Sequence, residues 1–92
     1  MAAPLFPLGR IVATPAALNA LVMAGQDPGE LLERHQSGDW GDDVSPEDAV
    51  ENRRSLRHGW RILSAYQVGP QRIWIITEAD RSSTCLLLPE EY

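Results

Sequence analysis

Three times before residue 60 the chain repeats one pattern of helix start and stop: Thr14-Pro15 to Gly25, Asp27-Pro28 to Gly38, and Ser45-Pro46 to Gly59. Each begins with a residue whose side-chain oxygen can accept from the free N–H groups of a first helical turn. Each follows it with proline at the position where a missing N–H costs nothing. A glycine at the far end can close the helix in the left-handed conformation. The punctuation predicts helices over 15–24, 28–36 and 46–58. The third carries Glu47 and Asp48 in its first turn and Arg57 and His58 in its last, which suits the helix dipole at both ends. The apolar stripes are narrow: Ala17, Leu18, Leu21 and Val22 on the first helix, Leu31, Leu32 and His35 on the second, Ala49, Val50, Arg53 and Leu56 on the third. Isolated helices below about 12–15 residues are marginal in water, so all three need a sheet to lean on.

That sheet is written after Gly59. Residues 60–68 alternate, with Trp60, Ile62, Tyr66 and Val68 on one side and Arg61, Leu63, Ala65 and Gln67 on the other. Gly69-Pro70-Gln71 turns, residues 72–78 are rich in β-branched and aromatic side chains, residues 79–82 turn again, and 83–88 is the last strand. Connections this short make neighbouring strands antiparallel. Residues 10–13 read as a short N-terminal strand or an extended lead-in. The expected architecture is therefore α+β: three short N-terminal helices packed on a C-terminal three-stranded antiparallel meander. The middle strand is apolar on both sides, Ile73 and Ile75 against Trp74 and Ile76, and the last strand repeats this with Leu86 and Leu88 against Cys85 and Leu87. Either the helices and N-terminal segment cover both faces, or one face is left for self-association or a docking partner.

Ninety-two residues make one domain, residues 1–92. Cys85, the single cysteine, lies in an apolar run and behaves as a small hydrophobe, so no disulfide staples the chain. Residues 1–8 lack a basic start and are broken by Pro4 and Pro7, unlike a secretory signal, and no apolar run approaches the length of a membrane span. A cytoplasmic protein is expected. The formal charge of −5, with pI near 4.8, is the reverse of a nucleic-acid footprint, because neutralising phosphates supplies most of that affinity. Direct DNA or RNA binding is disfavoured and a protein partner with a basic patch is favoured.

No glycine-rich phosphate loop, zinc-spaced Cys/His set or nucleophile elbow is present, and no metal or cofactor is expected. His35 and His58 both fall near helix C-termini, where an imidazolium complements the dipole. The catalytic rival is a metal-independent, ribonuclease-like site drawing on Arg34, His35, Glu78, Arg81 and Tyr92. The densest acidic stretch is Asp39-Trp40-Gly41-Asp42-Asp43 with Glu47 and Asp48. It lacks the ligand offsets of a calcium loop. It reads either as a solvated loop or as a recognition patch in which Trp40 anchors and the carboxylates meet a partner's arginines, Trp40 being equally able to plug the core. The second turn, with Asp80 and Arg81, is a hairpin connection of the kind that also carries function. The candidate partner-binding residues are thus Asp39, Trp40, Asp42, Asp43, Glu47, Asp80 and Arg81.

Four segments carry a family resemblance: residues 8–15 (LGRIVATP), 38–42 (GDWGD), 63–66 (LSAY), and 73–82 (IWIITEADRS) with 87–92 (LLPEEY). The chain resembles small proteins carried on bacterial plasmids and integrative elements, some bearing a restriction-enzyme label that so short a chain does not justify. The resemblance implies a setting beside anti-restriction and other anti-defence genes, and hence an inhibitor of host defence. Such inhibitors are commonly small, acidic and non-catalytic, occupying basic surfaces. Eight basic residues interrupt the thirteen acidic ones here, which points to docking through a few residues rather than wholesale DNA mimicry.

Overall fold

The structure, a computed structural model, describes residues 3–92. The helices form where the punctuation places them: α1 Pro15–Ala24, α2 Pro28–Ser37 and α3 Pro46–His58. Thr14, Asp27 and Ser45 each accept a backbone N–H through the side chain, from Ala17, Gly29 and Asp48.

The sheet is larger than a three-stranded antiparallel meander. Strand β1, Arg10–Ala13, precedes the helices and joins as a fourth strand, beside β2 (Ile62–Val68), β3 (Gln71–Thr77) and β4 (Ser83–Leu87). The order is β1-β4-β3-β2, with β2, β3 and β4 antiparallel and β1 parallel to β4. The sheet is therefore mixed, and helices are inserted between its first and second strands in the chain. A pairing across seventy residues leaves no local trace, which is why residues 10–13 look from sequence like a mere lead-in.

The register puts Ile62, Ser64, Tyr66, Val68, Ile73, Ile75, Thr77, Thr84 and Leu86 on one face. Ala17 and Leu21 of α1 and Leu31 of α2 close over it, forming a core with Tyr66, Val68, Ile73, Ile75 and Leu86. Each fully buried aliphatic side chain there contributes about 1.5–3 kcal/mol relative to exposure. A second cluster, Phe6, Trp40 and Ile62 with Ala49 and Leu56, fills the end near α3. The opposite face carries Leu63, Ala65, Trp74, Ile76, Cys85 and Leu87. Its Trp74 is met by the ring of Tyr92, 5.7 Å away, after a 3-10 turn over Pro89–Glu91.

Two helical stripes differ from expectation. On α1, Ala17 and Leu21 are buried while Leu18 and Val22 are exposed. On α3 the buried residues are polar, Asn52 and Ser55, whereas Val50 and Arg53 face solvent. The reason is what α3 covers: the backbone edge of β2 rather than an apolar side-chain surface. Asn52 donates to the Leu63 carbonyl and accepts from the Leu63 N–H, at 2.6 and 2.9 Å. Ser55 donates to the Arg61 carbonyl at 2.9 Å. An amide side chain here stands in for a neighbouring strand. Trp60, expected in the strand on the same side as Ile62, Tyr66 and Val68, lies before β2 begins, half exposed and stacked on His58 at 4.8 Å.

Candidate functional site

The acidic loop after α2 is held from three directions. Asp39 accepts from the Arg34 guanidinium at 2.7 and 3.3 Å. This contact holds the Asp39 carboxyl below the usual carboxylate range and raises the Arg34 pKa. The Arg34 guanidinium lies 4.5 Å over the Tyr66 ring, whose hydroxyl donates to the Asp39 carbonyl at 2.6 Å. The Trp40 carbonyl accepts from the Ala65 N–H at 2.8 Å, so the loop continues the seal along β2 that Asn52 begins. Gly41 follows at φ 91°, where a Cβ would run into the Ala65 carbonyl. Only glycine combines that dihedral with that approach.

Trp40 is buried, with Phe6 stacked 6.4 Å away, and plugs the core instead of standing out as an anchor. Its burial fixes the loop. Asp42 and Glu47 point to solvent, as does Asp48, and none is ion-paired among the described residues. Asp43 lies 3.6 Å from Arg72.

The other two candidates belong to the β3–β4 connection and are engaged internally. Asp80 accepts from the Ser82 N–H, and the Ser82 hydroxyl first, with that N–H second, keeps its carboxyl below the usual range. Arg81, at φ 60°, donates to the carbonyls of Trp60, Ser55, Glu78 and Ala79 and lies 5.6 Å over the Phe6 ring. It is a clamp between α3, the hairpin and the N-terminal segment.

His35 is fully buried rather than dipole-capping at the surface. Its Nδ1 is 2.5 Å from Ser64 Oγ and its Nε2 2.9 Å from Thr77 Oγ1, which is 2.7 Å from Thr84 Oγ1. Proton positions follow from the far end. The Leu8 carbonyl can only accept, so Thr84 donates to it, at 2.7 Å. Thr84 must then accept from Thr77, Thr77 from His35 Nε2–H, and His35 Nδ1 accepts from Ser64. Burial, with Arg81 nearby, pushes the His35 pKa down to about 3. A neutral, doubly bonded, sealed imidazole ties the N-terminal segment, α2 and three strands together.

The ribonuclease-like set does not converge. His35 lies under the helices, whereas Glu78 pairs with Arg61 at 3.4 Å and Tyr92 bonds Arg61 and packs on Trp74, on the other side of the sheet. Among the described residues no group of three His, Cys, Asp or Glu side chains is placed to hold a metal ion. No helix among them is long and apolar enough to cross a membrane. Asn52, Ser55, Ser64, Thr77 and Thr84 are absent from the sequence-derived list. The available signal was two uncharged polar residues, Asn52 and Ser55, three apart on a helix otherwise crowded with charge.

The chain matches no family model, no curated protein and no solved structure.

Proposed function

We propose that the chain is a non-catalytic protein-binding module of a mobile genetic element, an inhibitor of host defence that docks on a basic surface of a nucleic-acid-targeting complex. The observation that carries this reading is the anchored acidic edge. Trp40 in the core and the Trp40–Ala65 backbone bond hold the loop that carries Asp42, and the first turn of α3 just beyond it carries Glu47 and Asp48, none of the three ion-paired among the described residues. Carboxylates on a fixed support lose little freedom when they meet arginines, which is how a small surface gains specificity. The mobile-element setting rests on the family resemblance. The ribonuclease-like alternative lacks equivalent support, since its residues are divided between the two sides of the sheet.

The test is restored plaque formation or plasmid transfer in strains carrying one active restriction or CRISPR system each. The native chain is compared with Asp42→Asn/Glu47→Gln/Asp48→Asn, which removes the three charges and should lower the melting temperature only slightly, through the lost helix-dipole contacts of Glu47 and Asp48 in the first turn of α3. Protection by the native chain that the triple variant loses supports the reading. Protection retained by the variant, or none against any system, overturns it.

A further inference from the structure

The sheet has two edges, and the chain treats them differently. The β2 edge is closed by Asn52, Ser55 and the Trp40 carbonyl. On β1, the Arg10 N–H bonds the Ser82 carbonyl and the Thr14 N–H bonds the Leu86 carbonyl. Even-numbered residues therefore turn their backbone groups toward β4. The N–H and C=O of Ile11 and Ala13 point outward, with no bond beyond the sheet among the described residues. Ile11 is 51 % exposed and Val12 39 %. An uncovered strand edge with apolar flanks is a template for another strand.

We propose that this edge pairs with the same edge of a second copy, antiparallel about a two-fold axis through Val12, giving a continuous eight-stranded sheet. Three complementarities select a second copy. With Val12 opposite Val12 of the partner copy, Ile11 falls opposite Ala13, a large side chain against a small one on the helix-covered face, and both outward N–H and C=O pairs are satisfied. Arg10 falls opposite Thr14, whose hydroxyl bonds Glu91 Oε1 at 2.7 Å. Neither Arg10 nor Glu91 is ion-paired among the described residues. Both sit on the tail-covered face, so each would find its countercharge across the axis. Pro7 and Pro15, which offer no N–H, bound the strip of chain able to pair. Because the β2 edge is closed, pairing stops at two copies and does not propagate into a fibre.

The register gives a sharp test. In an antiparallel pair of this type the two Val12 Cα atoms stand about 4.5 Å apart, within reach of a disulfide. The two Ile11 Cα atoms stand roughly 8 Å apart, beyond it. The full chain is made with Cys85→Ala, since Cys85 lies beside Val12 in the β1–β4 register and would otherwise compete. Under mild oxidant, Val12→Cys should form a covalent dimer and Ile11→Cys should not. Light scattering of the native chain from micromolar to millimolar concentration should show a monomer–dimer equilibrium, weakened at least tenfold by Arg10→Glu. A monomer at every concentration, equal cross-linking of both cysteine variants, or no effect of Arg10→Glu overturns the proposal. Species beyond the dimer would do so too.

Discussion

On the β2 side of the molecule polar side chains are inside, and on the β1–α1 side apolar side chains are outside. The first region buries Asn52, Ser55, Ser64 and His35, from which a buried chain through Thr77 of β3 reaches Thr84 of β4, and no buried side-chain polar atom lacks a partner among the described residues. The second leaves Ile11, Val12, Leu18, Val22 and Met23 exposed, Val22 and Met23 at 76 % and 80 %. The contrast separates two uses of a small chain. Satisfied buried polar groups contribute little net stability but penalise every arrangement that leaves them unpaired, so they fix one packing. Exposed apolar groups gain nothing in the free chain and are where contact with something else is rewarded.

If that division holds, the largest effect of a single truncation belongs to Asn52. Asn52→Ala removes both bonds to Leu63 and leaves an N–H and a C=O facing the underside of α3, at about 1–3 kcal/mol for each buried unpaired group. A loss of roughly 2–4 kcal/mol is expected, a large part of the roughly 5–14 kcal/mol that a domain of this length possesses. Urea unfolding measures it. A loss below about 1 kcal/mol would mean that water replaces the amide and that the β2 edge is not sealed.

His35 breaks or sharpens the same contrast through pH. Its folded pKa is about 3, below the ordinary value near 6.5. The unfolded chain therefore binds the proton first. The contribution is complete above pH 6.5 and is lost as pH falls toward the folded value, at up to about 1.4 kcal/mol per unit. Between pH 7.5 and 5 the expected loss is about 2 kcal/mol. A His35→Gln variant, less stable throughout, should lack this part of the slope. Equal slopes for the two proteins would show that His35 is not sealed, and nitrogen NMR showing the Nδ1–H tautomer would break the hydrogen-bond chain to Leu8.

The helices and the meander were legible because their determinants are local. A cap, a proline and a glycine act within one turn, and alternation acts within one strand. What escaped depended on partners distant in the chain. The α3 stripe was misplaced because apolar periodicity assumes an apolar surface opposite, and the surface opposite was backbone. Trp40 offered two readings that composition does not separate, and the Ala65 N–H that settles its place is twenty-five residues away. Of the seven candidate docking residues, Asp42 and Glu47 remain free at the surface and Asp39 and Asp43 are exposed but ion-paired. Asp80 holds its own turn, while Trp40 and Arg81 do internal structural work that only the fold reveals.

The smallest effect is expected where the apolar side chains are outside. Leu18 and Val22 sit one turn apart on α1, at 47 % and 76 % exposure, and the core is closed by Ala17 and Leu21 on the adjoining stripe. Val22 has little area to lose, the covered half of Leu18 accounts for about 1 kcal/mol, and glutamate, replacing both, has good helix propensity, so the loss of unfolding free energy should stay within about 1 kcal/mol. The like charges four residues apart add only a few tenths against the helix. A cost well above 1 kcal/mol would show that this flank is covered in the free protein, by the chain itself or by a second copy. The division between a specified interior and an unclaimed exterior would then be drawn in the wrong place. An unchanged free energy with a rise in solubility would assign the flank to the surface that gains only from contact.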